Sequence, residues 1–205
     1  MTDQLQLDAV HLSFPEIISE VISVAGAPFA SGALVKIGLG MAKRVQPIEF
    51  PDWDQFLASL ETLKNPIAQF EGKAKYFGDG VFGLPGCPFA GSVNAYKSFV
   101  GAFPESFARV AQTFNKPSEH TERLRVGHGA GVSPFCCVHQ PVRSALADRM
   151  TIGGKAVRIY QLGCKAASGT KGLADKWIEE AKVDRASVEK VLEENMCCYC
   201  LRVAS

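Results

Sequence analysis

Apolar residues recur at helical spacing through the first third of the chain. Ile17, Ile18, Val21, Ile22 and Ala25 mark one face of a first helix, with Ser13 and Glu16 placed as the two halves of a capping box. Pro28 opens a second helical stretch in which Ala30, Ala33, Leu34, Ile37 and Met41 keep register. Asp52-Trp53-Asp54-Gln55 begins a third, which carries Phe56, Leu57, Leu60 and Leu63 and stops at Asn65-Pro66.

The period changes at Gly72. Segments 73–77 and 81–84 flank Gly78-Asp79-Gly80 and predict a hairpin. Leu84 to Gly91 is too rich in Gly and Pro for a helix or an interior strand, and helical patterns return over 93–102 and after Pro104. There Phe99, Phe103, Phe107 and Phe114 read as core-forming positions. Residues 124–138 read as strand and loop, with Pro141 as the first turn of a helix running through Met150. Gly153-Gly154 turns the chain into a strand over 155–163, at whose end Cys164 falls.

Two helices, 173–182 and 185–194, close the pattern. Asp184 caps the second, Val183 and Val188 are spaced as a hydrophobic staple, and Asn195 supplies a left-handed end. Together these elements predict an α+β fold in a single domain, residues 1–205. A helical portion over about 1–72 packs on a small antiparallel sheet; the portion over about 73–205 is mixed, with C-terminal helices and a loop-borne cysteine site.

With 205 residues, 47% of them hydrophobic and 21% charged, the chain can bury a core of ordinary size. A formal net charge of +1 gives no basis for nucleic-acid binding. Between residues 141 and 176, seven basic side chains (Arg143, Arg149, Lys155, Arg158, Lys165, Lys171, Lys176) face two acidic ones, which suggests either a solvated face or a basic collar around Cys164. The longest uncharged run, Val21 to Val35, is 15 residues, against the roughly 20 that a membrane span needs. No span is expected there, while peripheral membrane contact stays compatible with the pattern. The opening Met1-Thr2-Asp3-Gln4 lacks the basic-then-apolar form of a secretory signal, and the seven cysteines are odd in number. A reducing, cytoplasmic setting is the expectation.

Thiols carry the candidate chemistry. Cys197 and Cys200 form a Cys-x-x-Cys, with Cys198 as a bystander between them. The motif follows a helix, where the dipole disfavours thiolate, so metal ligation suits it better than dithiol exchange. Cys87, Cys164 and one of the adjacent pair Cys136/Cys137 would complete the ligand set, each at a loop or strand end. If 136 and 137 lie on a strand their side chains oppose, so that only one of them points to the metal. The scatter of single cysteines near Gly86, Pro88 and Gly163 favours a [4Fe–4S] cluster over zinc, whose ribbons show two short pairs. His139, two residues from Cys137, is the candidate acid or base, and His128 is a second nearby imidazole.

The expectation is therefore an iron–sulfur protein of anaerobic metabolism, serving electron transfer or small-molecule activation. Its partners would be a redox protein or a small substrate. Two alternatives are a zinc or soft-metal sensor and a small-hydrophobe or tetrapyrrole-binding module with redox-active thiols.

Overall fold

A computed structural model describes residues 13, 16–60, 74–85, 134–165 and 173–204, with residues 134–140 described by their backbone. Helix α1 covers 16–25, and Ser13 is already helical, so it does not act as the cap. Gly26, at φ 83°, breaks the chain before α2 (Ala27–Ala42), which has a proline in its first turn as the sequence suggests. Strand β1 (Ile48–Phe50) leads into α3 (Trp53–Leu60), where the Asp52 carboxylate accepts from the Gln55 N–H at 2.8 Å.

Strands β2 (Lys75–Gly78) and β3 (Val81–Leu84) form the expected hairpin. Asp79 and Gly80 both take positive φ, 45° and 69°, as a two-residue turn of this hand requires. A second such turn, Gly153-Gly154 at φ 59° and 72°, joins β4 (Met150–Ile152) to β5 (Lys155–Gly163).

Helix α4 runs from Pro134 to Arg149, seven residues earlier than Pro141 suggests. Pro134 takes the helix start that the sequence assigns to Pro141, and Pro141 sits in the interior, where it has no N–H to give the carbonyl of Cys137. Residues 134–138 are thus helix and not strand.

Helices α5 (Asp175–Ala181) and α6 (Arg185–Glu193) follow. The Asp184 carboxylate caps α6 through the Ala186 N–H at 3.2 Å, Val183 and Val188 are buried in one cluster, and Asn195 turns the chain at φ 58°. The chain then enters β6 (Cys197–Val203).

The six strands lie in the order β1-β4-β5-β6-β3-β2. All neighbours are antiparallel except β1 with β4, which are parallel, so the sheet is mixed within an α+β fold. On one face Phe56 and Leu60 of α3 and Ala147 of α4 pack with Phe82, Leu84, Ile159, Tyr199 and Leu201. On the other, Trp177 and Ile178 of α5 and Val188 and Val191 of α6 pack with Val81, Tyr160 and Leu162. Helix α2 lies against α4 on the first side. Among the described residues no helix is long and apolar enough to cross a membrane.

Candidate metal centre

The C-terminal cysteines are not a loop or a tail. They occupy β6, hydrogen-bonded between β5 and β3 and buried on both faces. Side chains alternate along a strand, so positions three apart face opposite ways. Cys197 packs with Tyr199 and Leu201 on the α3/α4 face, while Cys198 and Cys200 pack on the α5/α6 face. The Cys197/Cys200 spacing therefore cannot work as one pair of ligands in this strand. The expected bystander, Cys198, is the residue that shares a face with Cys200.

A different pair comes together on the α4 side. Along β5, Val157 and Ile159 face α4 while Tyr160 and Leu162 face α5. Continued alternation would send Cys164 to the α5 side. The register breaks first: Gln161 pairs with Tyr199, yet Gly163 pairs with Cys198, two steps on β5 for one on β6. That bulge reverses the facing of the residues beyond it. Cys164 accordingly joins Cys197, Leu84 and Tyr199 in the α4-side cluster, where both cysteines are buried.

These residues gather at one end of the sheet. Leu84, the last residue of β3, lies opposite Cys197, the first of β6. The Lys165 ammonium donates to the Pro85 carbonyl, which ties the exit of β5 to the exit of β3. Helix α4 points the same way. Its C-terminus passes into β4 beside the start of β5, and higher up Arg143 reaches Tyr199, opposite Gln161. Its earlier turns therefore continue toward the end of β5 at which Cys164 sits. From 143 back to 139 the helix rises about 6 Å, close to the roughly 6.6 Å from Tyr199 to Cys197 along β6.

On a helix, positions 136 and 137 diverge by about 100° instead of opposing each other, and 136, 139 and 143 fall along one stripe. Their side chains, Cys136, Cys137 and His139, lie outside the described residues, as do Cys87 and His128. Among the described residues, no group of three or more His, Cys, Asp or Glu is placed to hold a metal.

Among the described residues, two polar side chains on this face are deeply buried. Arg143 is 3% exposed and Gln161 is fully buried. The Arg143 guanidinium lies 4.3 Å from the centroid of the Tyr199 ring. The other basic residues of 141–176 disperse: Arg149 donates to the Val45 carbonyl, Arg158 pairs with Tyr160 and Glu180, and Lys176 lies over Trp177. The described ones form no collar around Cys164.

Burial pushes the Cys198 thiol well above its ordinary range, and the Cys200 thiol up to about 11, Arg202 offsetting part of the latter. Sequence reasoning does not pair Arg143 with Tyr199; the one signal for their setting is the continuous apolar run of β6, which marks a strand buried on both sides.

Comparison with protein-family models, with curated proteins and with solved structures finds no match for this chain.

Proposed function

We propose that the protein holds a thiolate-bound metal centre of the [4Fe–4S] type at the end of the sheet where Cys164 and Cys197 share the α4 face. The supporting observation is the bulge between Gln161 and Gly163, which turns Cys164 onto the face of Cys197. Two further thiols complete the set: one of Cys136/Cys137, from the helix that continues toward this end, and Cys87, three residues beyond Leu84. Cys200 leaves the ligand set because its face is the other one. His139, one helical turn before Arg143, is the acid or base of this reading. A cluster so placed supplies one-electron chemistry, for transfer to a redox partner or for activating a small molecule.

The test is anaerobic purification followed by iron, sulfide and zinc analysis of the full chain and three variants. Iron with acid-labile sulfide is expected, lost in Cys164→Ser and in Cys197→Ser but kept in Cys200→Ser. One zinc per chain without sulfide, with the same pattern of loss, would give these thiols to zinc. Metal-free protein, or metal lost only in Cys200→Ser, would overturn the proposal.

A further inference from the structure

We propose, independently of the metal centre, that α2 docks on the surface of a membrane carrying anionic lipid, with its outward face lying in the headgroup layer.

The helix has two distinct sides. Leu34, Val35 and Ala42 are buried, while Phe29, Lys36, Ile37 and Leu39 are exposed, and α4 packs on the helix. At about 100° per residue the exposed positions share one arc of about 160°, with Lys36 near its middle. A helix with one side on a core normally turns charged and polar residues outward. This one turns out Phe29 and Ile37, each more than half exposed, and Leu39, nearly so. Among the described residues six large apolar side chains are exposed, and five of them lie in α1 and α2. Such a concentration marks an interaction surface, whereas single exposed apolar residues would need no explanation.

Charge selects the occupant. From Val21 to Ile48 the chain has no Asp or Glu, but it has Lys36, Lys43 and Arg44, all exposed. Lys36 stands within the apolar arc, and Lys43 and Arg44 follow at the C-terminal end of the helix. An anionic lipid interface matches both properties. Apolar side chains enter the boundary of the acyl layer, while lysine and arginine stems snorkel to the phosphates. A second copy of the chain matches them poorly, since a two-fold pairing centred on this face sets Lys36 against its own copy. The exposed acids Glu16 and Glu20 precede Val24 on α1, so the contact begins at Val24, which is 85% exposed. With 16 residues α2 is too short to span a bilayer and lies along its surface.

The test is sedimentation of the full chain with vesicles of phosphatidylcholine, alone or mixed with phosphatidylserine, in low and raised salt. Wild type should bind the mixed vesicles, bind the neutral ones more weakly, and lose affinity as salt rises. The double variant Phe29→Ser, Ile37→Ser should lower affinity for mixed vesicles by about tenfold or more. The triple variant Lys36→Gln, Lys43→Gln, Arg44→Gln should lower it about fivefold per charge and bring the two vesicle types level. All five positions are exposed, and thermal unfolding checks that each variant keeps its fold. If the serine variant does not fold, the glutamine variant decides, by losing or keeping the preference for phosphatidylserine. Wild type that stays in solution with mixed vesicles would overturn the proposal, as would full binding by either folded variant. Equal wild-type binding to both vesicle types would overturn it too, because charge then plays no part. Wild-type dimers in analytical ultracentrifugation that dissociate in the serine variant, without vesicle binding, would give the face to a second copy instead.

Discussion

Cys198 and Cys200 stand two positions apart on β6 and both face α5 and α6, each fully buried. Burial raises both thiols, Cys200 from 9.0 to about 11. In the unfolded chain these thiols ionise near 9, while in the fold they stay neutral. The unfolded state therefore binds fewer protons than the native state above pH 9, and stability falls as pH rises. Stability from these groups is fully present below pH 9 and is lost through about pH 11 for Cys200, with Cys198 continuing the trend. Each thiol adds a slope of up to about 1.4 kcal/mol per pH unit in that window. Urea unfolding at pH 8, 9, 10 and 11 should show it, and Cys200→Ala should flatten the slope between 9 and 11. An unchanged slope in that variant would place the pH dependence elsewhere.

The cap of α6 gives a local prediction. The Asp184 carboxylate accepts from the Ala186 N–H at 3.2 Å, while Val183 and Val188 close the staple beneath it. Asp184→Ala should cost about 1 kcal/mol, and Asp184→Ser much less. Thermal unfolding of the three proteins checks this order.

That cap was legible in the sequence because its cause is local: a carboxylate, two apolar positions and an asparagine at set spacing. The two hairpin turns were legible for the same reason, since Asp79-Gly80 and Gly153-Gly154 announce positive φ. Three features were not. Strand β6 is buried on both faces, so Cys-Cys-Tyr-Cys-Leu shows no alternation, and three thiols in four positions imitate a metal loop. Helix α4 contains two prolines, and the local preference for proline in the first turn picked Pro141 when Pro134 holds that place. The facing of Cys164 depends on a bulge, which is a property of the pairing with β6 and has no mark in the β5 sequence.

Arg202 anchors the β2–β3 turn to the end of α5. It donates to the Asp79 carboxylate at 3.0 and 3.1 Å, the Asp79 carbonyl at 2.7 Å, the Ala181 carbonyl at 2.8 Å and the Lys182 carbonyl at 3.3 Å. Asp79 is mostly exposed, so the ion pair itself contributes little. The bonds to backbone carbonyls carry more. Arg202→Met should therefore destabilise by about 2 kcal/mol, and Asp79→Ala by under about 1 kcal/mol. Equal losses would show that the ion pair, and not the carbonyl contacts, is what matters.

Gly80 faces the same junction. Its φ is 69°, and a side chain there would run into the Leu201 carbonyl oxygen. Gly80→Ala should lose at least about 1–2 kcal/mol from the left-handed backbone alone, with the clash added to it. Gly154, also at positive φ but with nothing near its missing side chain, isolates the backbone part. Denaturant midpoints should fall further for Gly80→Ala than for Gly154→Ala.

The strongest test of the architecture is removal of the last ten residues. If Cys197 to Cys200 were a metal-binding tail, truncation after Asn195 would strip the metal and leave the fold. The sheet order makes the opposite prediction. β6 lies between β5 and β3, and supplies Cys197, Tyr199 and Leu201 to one core and Cys198 and Cys200 to the other. Without it β5 and β3 lose their shared partner, two strand edges open, and both helical layers lose the surface they cover. The truncated chain should show no cooperative unfolding transition by circular dichroism and should aggregate. A chain ending at Ala204 keeps the strand and should unfold as wild type does. A cooperative transition in the protein ending at Asn195 would mean that β6 is dispensable and that the two faces hold together without it.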